Sequence, residues 1–552
     1  MEHPFAAVAR AVPAFAAALE RHEAGDLAAA RAAYLDLIDQ QGLTALCLHQ
    51  LGLIAAAKGD HAGAAAMLRA AIRVDPLQPL AYHNLSEILD RLGDAGGATA
   101  VLVELGCVLQ AQGAHAPAIQ LYQRVLARDP LNYAAFVNAG TGLAWLGEYG
   151  QAARRLLDGI ILYGRLSPDV AAFARGIAER LEKRIGAWAE AAPLPAGPPT
   201  GAVEKIEDAL TTLGTALDQL GCAEEALLCH RQSVAAAPGF ALGHWNLALS
   251  LLAAGDFLGG WKEYEWRWLS DRFREPRRRL PLPTWRRQAL DGKRILIWGE
   301  QGLAEIIQFA PLVPRLASLG AEVVFEVPHP LLRLFRQSLD GVRVVGRAAG
   351  PHTLPTELPL DYALPQMSLP HRLDLRIQDL PLATDYLRPT PGDRTDWAKR
   401  LAAETRPKVG LVWTEGAEAS AATIPLATLR PLFEVGGIAW HSLQPGAPAE
   451  ALPAAGLETM RDLARHLTDF ADLAAAIDAL DLVVATDSAV AHLAAAMGKP
   501  TWMMMPAACG WPWSGKAQSS RWYPSVRLFR QPTPGDWSAV AEAVATELAG
   551  WR

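Results

Sequence analysis

Glu305 is the first side chain of this sequence placed to do chemistry. It stands in RILIWGEQGLAEIIQFA (294–310), where an apolar run breaks at Gly299 and Gly302 and restarts as a helix. A carboxylate held at such a turn can take a proton from a hydroxyl within hydrogen-bond reach. A buried strand that turns into a helix at glycines also suits a phosphate or a sugar. The same carboxylate in the first turn of a helix can instead complement the helix dipole. Gly299 and Gly302 are expected to give the turn its backbone freedom in either case.

A second candidate group lies in ATDSAVAHLAAAMGKP (485–500). A strand ends at Thr486, and Asp487-Ser488 opens a helix whose first amides, at Ala489 and Val490, are free to bind an anion. Asp487 and Ser488 also make an ordinary helix N-cap, and His492, one turn in, also fits a packing role. GLVWTEGAEASAATIPL (410–426) offers the hydroxyls of Thr414, Ser420 and Thr423 beside the acids Glu415 and Glu418. Ser442 and Gln444, in HSLQPG, follow a strand and suit either nucleotide contact or a loop. DALD (478–481) falls between a helix and a strand, so no metal-binding acidic loop is expected, and metal-independent chemistry is preferred.

These residues must be positioned by alternating strands and helices. RILIWG, AEVVFEV, VRVVG, KVGLVW (408–413), IAWHSL (438–443), LVVAT (482–486) and TWMMM (501–505) read as strands with helices between them. That order predicts βαβ units and parallel sheets. Two such blocks, 291–390 and 391–552, meet at the proline-rich LPLATDYLRPTPGD. Two facing blocks of this kind place a ligand at the carboxyl ends of the strands.

The first half is different. Gly-Asp pairs begin at Gly25, Gly59 and Gly93, each 34 residues after the last, and Gly113/Gly147 and Gly221/Gly255 repeat that step. A 34-residue helix–turn–helix period is the tetratricopeptide signature; one unit is irregular, because Gly93 to Gly113 is a step of 20. The expected organisation is a repeat array over 1–188, a Pro/Gly-rich linker over 189–205, and further repeats with a capping helix over 206–290. Trp261, Tyr264 and Trp268 are expected on one helical face, docking on the next block. Arg272, Arg274 and Arg277 to Arg279 then form either a solvated or paired surface or a holder for an anionic donor or acceptor.

The chain has 552 residues, which suggests three or four domains, and a net charge of −7, which argues against nucleic acid as a partner. Five cysteines with no CxxC suggest buried thiols in a reducing compartment, Cys222 and Cys229 on one helical face. No apolar run is long enough for a membrane span, and the N-terminus makes a poor signal peptide, so the expected location is cytoplasmic.

Four ordered motifs, GDFLGGWKEYEWRW, WGEQGLAEIIQF, DLVVATDSAVAHLAAAMGKPTW and RWYPSVRLFRQ, carry a resemblance. The sequence resembles bacterial proteins that fuse tetratricopeptide repeats to a two-lobed, GT-B-like glycosyltransferase domain with two Rossmann-like lobes. That domain is related to lipopolysaccharide heptosyltransferases and, more distantly, to O-linked N-acetylglucosamine transferases. The resemblance implies transfer of a sugar from a nucleotide-sugar donor, a co-substrate rather than a cofactor, to Ser or Thr of a protein acceptor such as flagellin. It implies Glu305 as general base, Ser488 with the amides of Ala489 and Val490 on the donor pyrophosphate, Asp487 on sugar hydroxyls, and His492 facing the donor.

Two stretches depart from the family. Its Gly-Leu-Gly-Asp turn is replaced here by Gly-Leu-Ala304-Glu305, and 414–423 lacks the usual basic residues. Hydrogen bonds from Thr414, Ser420 and Thr423, a donor with fewer phosphates such as a cytidine-monophosphate-activated acidic sugar, or loss of catalysis would each account for that stretch. The rival readings are a non-catalytic repeat scaffold and a heptosyltransferase-like enzyme acting on a lipid-linked glycan.

Overall fold

The computed structural model describes residues 8, 11–38, 43–185, 194–203, 205–275, 277–350, 352–414, 423–444, 446 and 460–551. The chain divides into two compact units, Met1–Pro238 and Gly239–Arg552. The division falls inside the stretch 206–290.

The first unit is a stack of antiparallel helices. Its start shows how the Gly-Asp pairs work. Gly25, Gly59 and Gly93 end helices with φ of 82°, 83° and 77°, a left-handed conformation that glycine adopts without strain. The next residue then caps the following helix: Asp26, Asp60 and Asp94 accept from the amides of Ala29, Gly63 and Gly97. The irregular step at Gly113 arises because the helix Ala95–Ala111 is followed directly by His115–Arg128. Residues 194–203 are not a free tether. The Thr200 amide donates to Leu131 and the Tyr133 amide to Thr200, which lays this stretch along the Asn132 turn. Cys222 and Cys229 are both buried free thiols; Cys222 precedes the helix Ala223–Ala236 that carries Cys229, so only Cys229 lies within the helix.

The second unit opens with the helix pair Ala241–Ala253 and Phe257–Tyr264, the latter capped by Asp256. Two parallel sheets follow. In the first, β3 (Val342–Gly346), β2 (Glu322–Val327), β1 (Arg294–Trp298) and β4 (Tyr362–Pro365) lie in that order. In the second the order is β10 (Val526–Arg530), β9 (Thr501–Met505), β8 (Leu482–Thr486), β5 (Lys408–Val412), β6 (Ala439–Ser442) and β7 (Arg461–Asp462). All seven strands expected from sequence are present; β4, β7 and β10 are additional. The architecture is thus an all-α repeat region followed by two parallel α/β lobes.

The last repeat helix is wedged into the lobes. Trp261 is 1% exposed and meets Phe309 and Trp511 edge-on at ring separations of 5.4 and 5.3 Å. Burying an indole this fully is worth about 2–3 kcal/mol. The expected common face of Trp261, Tyr264 and Trp268 is broken, because the α-helix stops at Tyr264 and Glu265–Leu269 winds as a tighter 3-10 helix. Trp261 and Tyr264 go into the core, and Trp268 goes elsewhere.

Candidate functional site

Glu305, Asp487 and His492 line one cavity of about 210 Å³. Local rules deliver each of them to it. β1 ends at Trp298, Gly299 and Glu300 follow, and the helix Leu303–Phe309 starts after Gly302. One oxygen of Glu305 accepts from the Gly302 amide at 3.1 Å, so this carboxylate does cap its helix. It also faces the cavity.

On the other side, β8 ends at Thr486 and Ser488 caps the helix Ala489–Ala496. The Ser488 hydroxyl donates to the Thr486 carbonyl at 3.1 Å and accepts from the Ala491 amide at 3.3 Å. Ser488 is 4% exposed, and its side chain is committed to the cap. Asp487 stands free of the cap. Its Oδ2 accepts from the Trp513 indole at 2.8 Å, and its Oδ1 lies 3.3 Å from His492 Nε2. His492 Nδ1 is 3.0 Å from the Tyr523 hydroxyl. Burial pushes the Tyr523 phenol far up, and Tyr386, Asp487 and Glu305 add to the shift. Tyr523 therefore stays protonated, and its hydroxyl also bonds Tyr386.

The glycines work differently from expectation. Neither Gly299 nor Gly302 has a positive φ; Gly302 is at −90°, and the left-handed residue of the turn is Gln301, at 65°. Gly299 is needed for space instead, because a Cβ there would come within 2.7 Å of Ile306 Cδ1. A Cβ at Gly302 would meet only the movable end of Glu305, at 2.6 Å.

Thr414, Ser442 and Gln444 are not brought to this cavity. Gln444 is 2% exposed, and its carbonyl accepts from the amides of Trp413 and Thr414, both at 3.1 Å. Ser442 accepts from the Gln444 amide, and Thr414 pairs with the Thr423 hydroxyl at 2.9 Å. These side chains lock the ends of β5 and β6 together. Glu415, Glu418 and Ser420 lie outside the described residues.

Two buried groups escaped the sequence reading. Gln308 is 4% exposed and lines the cavity with its amide nitrogen unpartnered. An orphaned buried donor costs about 1–3 kcal/mol, so its place at a cavity wall marks it for a ligand. Its helical position beside Phe309 carries no signal in sequence. Glu300 is fully buried, held by Arg267 at 2.8 Å and by the Met367 amide at 2.9 Å. Burial pushes its carboxyl up to about 7, against the pull of Arg267. Arg267 is itself fully buried and reaches the Ser368 hydroxyl at 3.1 Å. This pair lies behind the Glu305 turn.

Among the described residues, no group of three or more His, Cys, Asp or Glu is placed to hold a metal ion, and no helix is long and apolar enough to cross a membrane. The cavity supplies one open carboxylate, a second carboxylate fixed by Trp513 and His492, an unpaired amide donor, and a helix start nearby. That set suits binding of a polyhydroxylated ligand next to a hydroxyl-bearing one.

Residues 447–502 match the model of "Glycosyltransferase family 9 (heptosyltransferase)", and residues 45–76 match a tetratricopeptide repeat. The chain is 27% identical over 472 residues to "Protein FlbA" of Caulobacter vibrioides, covering 80% of this chain and 72% of that protein. Among solved structures, heptosyltransferase-type chains resemble it in part. A glycosyl transferase family 9 protein from Veillonella parvula aligns with TM-score 0.36 and 12% identity, over 48% of this chain and 97% of its own. The E. coli ADP-heptose lps heptosyltransferase II aligns with TM-score 0.33 and 15% identity, over 47% of this chain and 99% of its own.

Proposed function

We propose that this chain, which joins tetratricopeptide repeats to a glycosyltransferase family 9 domain, moves a sugar from a nucleotide-sugar donor to a Ser or Thr hydroxyl of a protein acceptor. The repeats hold the acceptor, and flagellin is the first acceptor to test. One observation carries the reading: Glu305, from the first lobe, and Asp487, from the second, face the same cavity.

The resemblance supplies the roles, and the shared cavity supports them. Glu305 keeps one oxygen on the Gly302 amide and turns the carboxylate to the acceptor hydroxyl, whose proton it takes as the new glycosidic bond forms. Asp487, held by Trp513 and His492, orients the donor sugar through its hydroxyls. Gln308 donates to a sugar or phosphate oxygen. The amides of Ala489 and Val490, at the start of the helix, offset the negative charge that builds on the departing nucleotide. Ser488 contributes by holding that helix start, since its own hydroxyl is spent.

The test is donor hydrolysis and transfer by the full chain across a panel of nucleotide-sugars, with acceptor modification read by mass spectrometry. Activity that falls in Glu305→Gln and Asp487→Ala supports the assignment. Equal activity in all three proteins removes these residues from the site. No turnover with any donor favours the repeat scaffold, and transfer to a lipid-linked glycan alone favours the heptosyltransferase-like alternative.

A further inference from the structure

A second, larger cavity of about 500 Å³ sits in the same unit and shares no lining residue with the first. It is where Trp268 goes. Five arginines line it, Arg277, Arg278, Arg286, Arg287 and Arg372, against a single carboxylate, Glu265. Most of this charge is already balanced. Glu265 is held by Arg267 at 3.0 Å and Arg372 at 3.2 Å, Arg278 pairs with Glu326 at 2.7 Å, and Arg287 pairs with Asp374. Among the described residues, neither Arg277 nor Arg286 has a carboxylate partner.

The excess continues next door. An adjoining cavity of about 340 Å³ shares Arg277, Arg278, Thr284 and Trp298 with this arginine-lined one and adds Arg279, whose guanidinium likewise has no carboxylate partner among the described residues. The three uncompensated guanidiniums thus line one trough, two adjoining cavities that share a wall, and Leu280, Leu282 and Leu269, 63% exposed, line the same walls. A continuous lining that joins excess cationic groups to apolar ones complements a chain that carries several carboxylates.

We infer that this trough binds an acidic peptide segment of the acceptor protein. The inference rests on the reading of the acceptor as a polypeptide. The trough flanks the last repeat helix pair, since Glu265–Leu269 continues directly from Phe257–Tyr264. The buried Arg267–Glu300 pair stands between it and the Glu305 cavity: Glu265 and Ser368 face the trough, Tyr264 and Met367 the cavity. A segment lying in the trough thus runs beside the place where a hydroxyl must arrive.

The test uses the full chain and a fluorescein-labelled hexaglutamate peptide, read by fluorescence anisotropy, with hexaglutamine as the neutral control. Hexaglutamate is expected to bind and hexaglutamine not to. The triple variant Arg277→Gln, Arg279→Gln, Arg286→Gln is expected to weaken binding at least tenfold while keeping the melting temperature and donor hydrolysis of the unaltered chain, which shows that it folds. Asp487→Asn is expected to leave peptide binding unchanged. Wild-type affinity in the triple variant, loss of binding in Asp487→Asn, or displacement of the peptide by pyrophosphate at matched charge would each overturn the inference. Absence of donor hydrolysis in the unaltered chain is a separate result and bears on the proposed reaction alone.

Discussion

The Nε2 atom of His492 lies 3.3 Å from Oδ1 of Asp487. With Trp513 on the other oxygen, the carboxylate is fixed from both sides. Asp487→Asn is expected to lower kcat/KM for donor hydrolysis by about 10²–10³, the range for losing one preorganised polar group. His492→Ala leaves the charge but frees the carboxylate to turn, so the loss should be smaller, about tenfold, and should fall mainly on KM. Steady-state kinetics of the two variants checks the order; a larger effect for His492→Ala would contradict it.

Glu305 has two duties that substitutions can separate. Glu305→Gln can keep the bond to the Gly302 amide but cannot take a proton. Transfer is expected to drop by about 10²–10⁴ with melting temperature and donor affinity unchanged. Glu305→Ala loses the cap as well, at about 1 kcal/mol. Thermal melts alongside transfer assays distinguish the two losses.

Gln308 holds a buried donor with no partner. Gln308→Leu, close in volume, should raise the melting temperature by a few degrees while raising KM for the donor roughly tenfold. A variant that melts lower, with unchanged KM, would show that the amide serves the fold and not a ligand.

Glu300 makes stability depend on pH. Its folded carboxyl is raised to about 7 from the ordinary 4.5, so its contribution is full below about 4.5 and is lost as pH rises through about 7. Glu300→Gln cannot ionise. The stability difference between the two proteins should therefore move in favour of the glutamine variant by on the order of 3 kcal/mol between pH 4.5 and 8. Urea unfolding at several pH values reads this directly, and a flat difference counts against it.

Arg333, on the helix His329–Ser338 of the first lobe, bonds Asp469 through two nitrogens at 2.8 and 2.7 Å and also Asp393 at 3.1 Å. Burial alone would raise the Asp469 carboxyl, but the Arg333 bonds and the helix amides outweigh it, and the net shift is down. A lowered acid stabilises above its ordinary range and loses that contribution as pH falls. Arg333 is 41% exposed, so Arg333→Ala should cost only about 1 kcal/mol at neutral pH. The acid-unfolding midpoint should move to higher pH, as a fluorescence titration would show.

Much of the fold was legible because its rules act over a few residues. A glycine that ends a helix and an aspartate that caps the next need nothing beyond Gly59, Asp60 and Gly63, and repeating them every 34 residues spells the array. Strand ends and caps at Thr486–Ser488 follow in the same way. The N-cap that these short-range rules offer for Ser488 forms, while the donor contact came from the resemblance alone; the same rules misled at 299–302, where they gave the turn to glycine φ freedom and Gln301 bears the unusual angle.

What only the tertiary structure decided is which distant groups share a dry or charged space. Glu305 meets Asp487, Glu300 loses water to Arg267, Gln308 is left without a partner, and Arg277, Arg279 and Arg286 escape neutralisation, all through packing between segments far apart in the chain. Burial and pairing depend on neighbours from the whole unit. Local sequence sets helices, turns and caps; the assembled lobes set dielectric, charge balance and reach, and those quantities make a site.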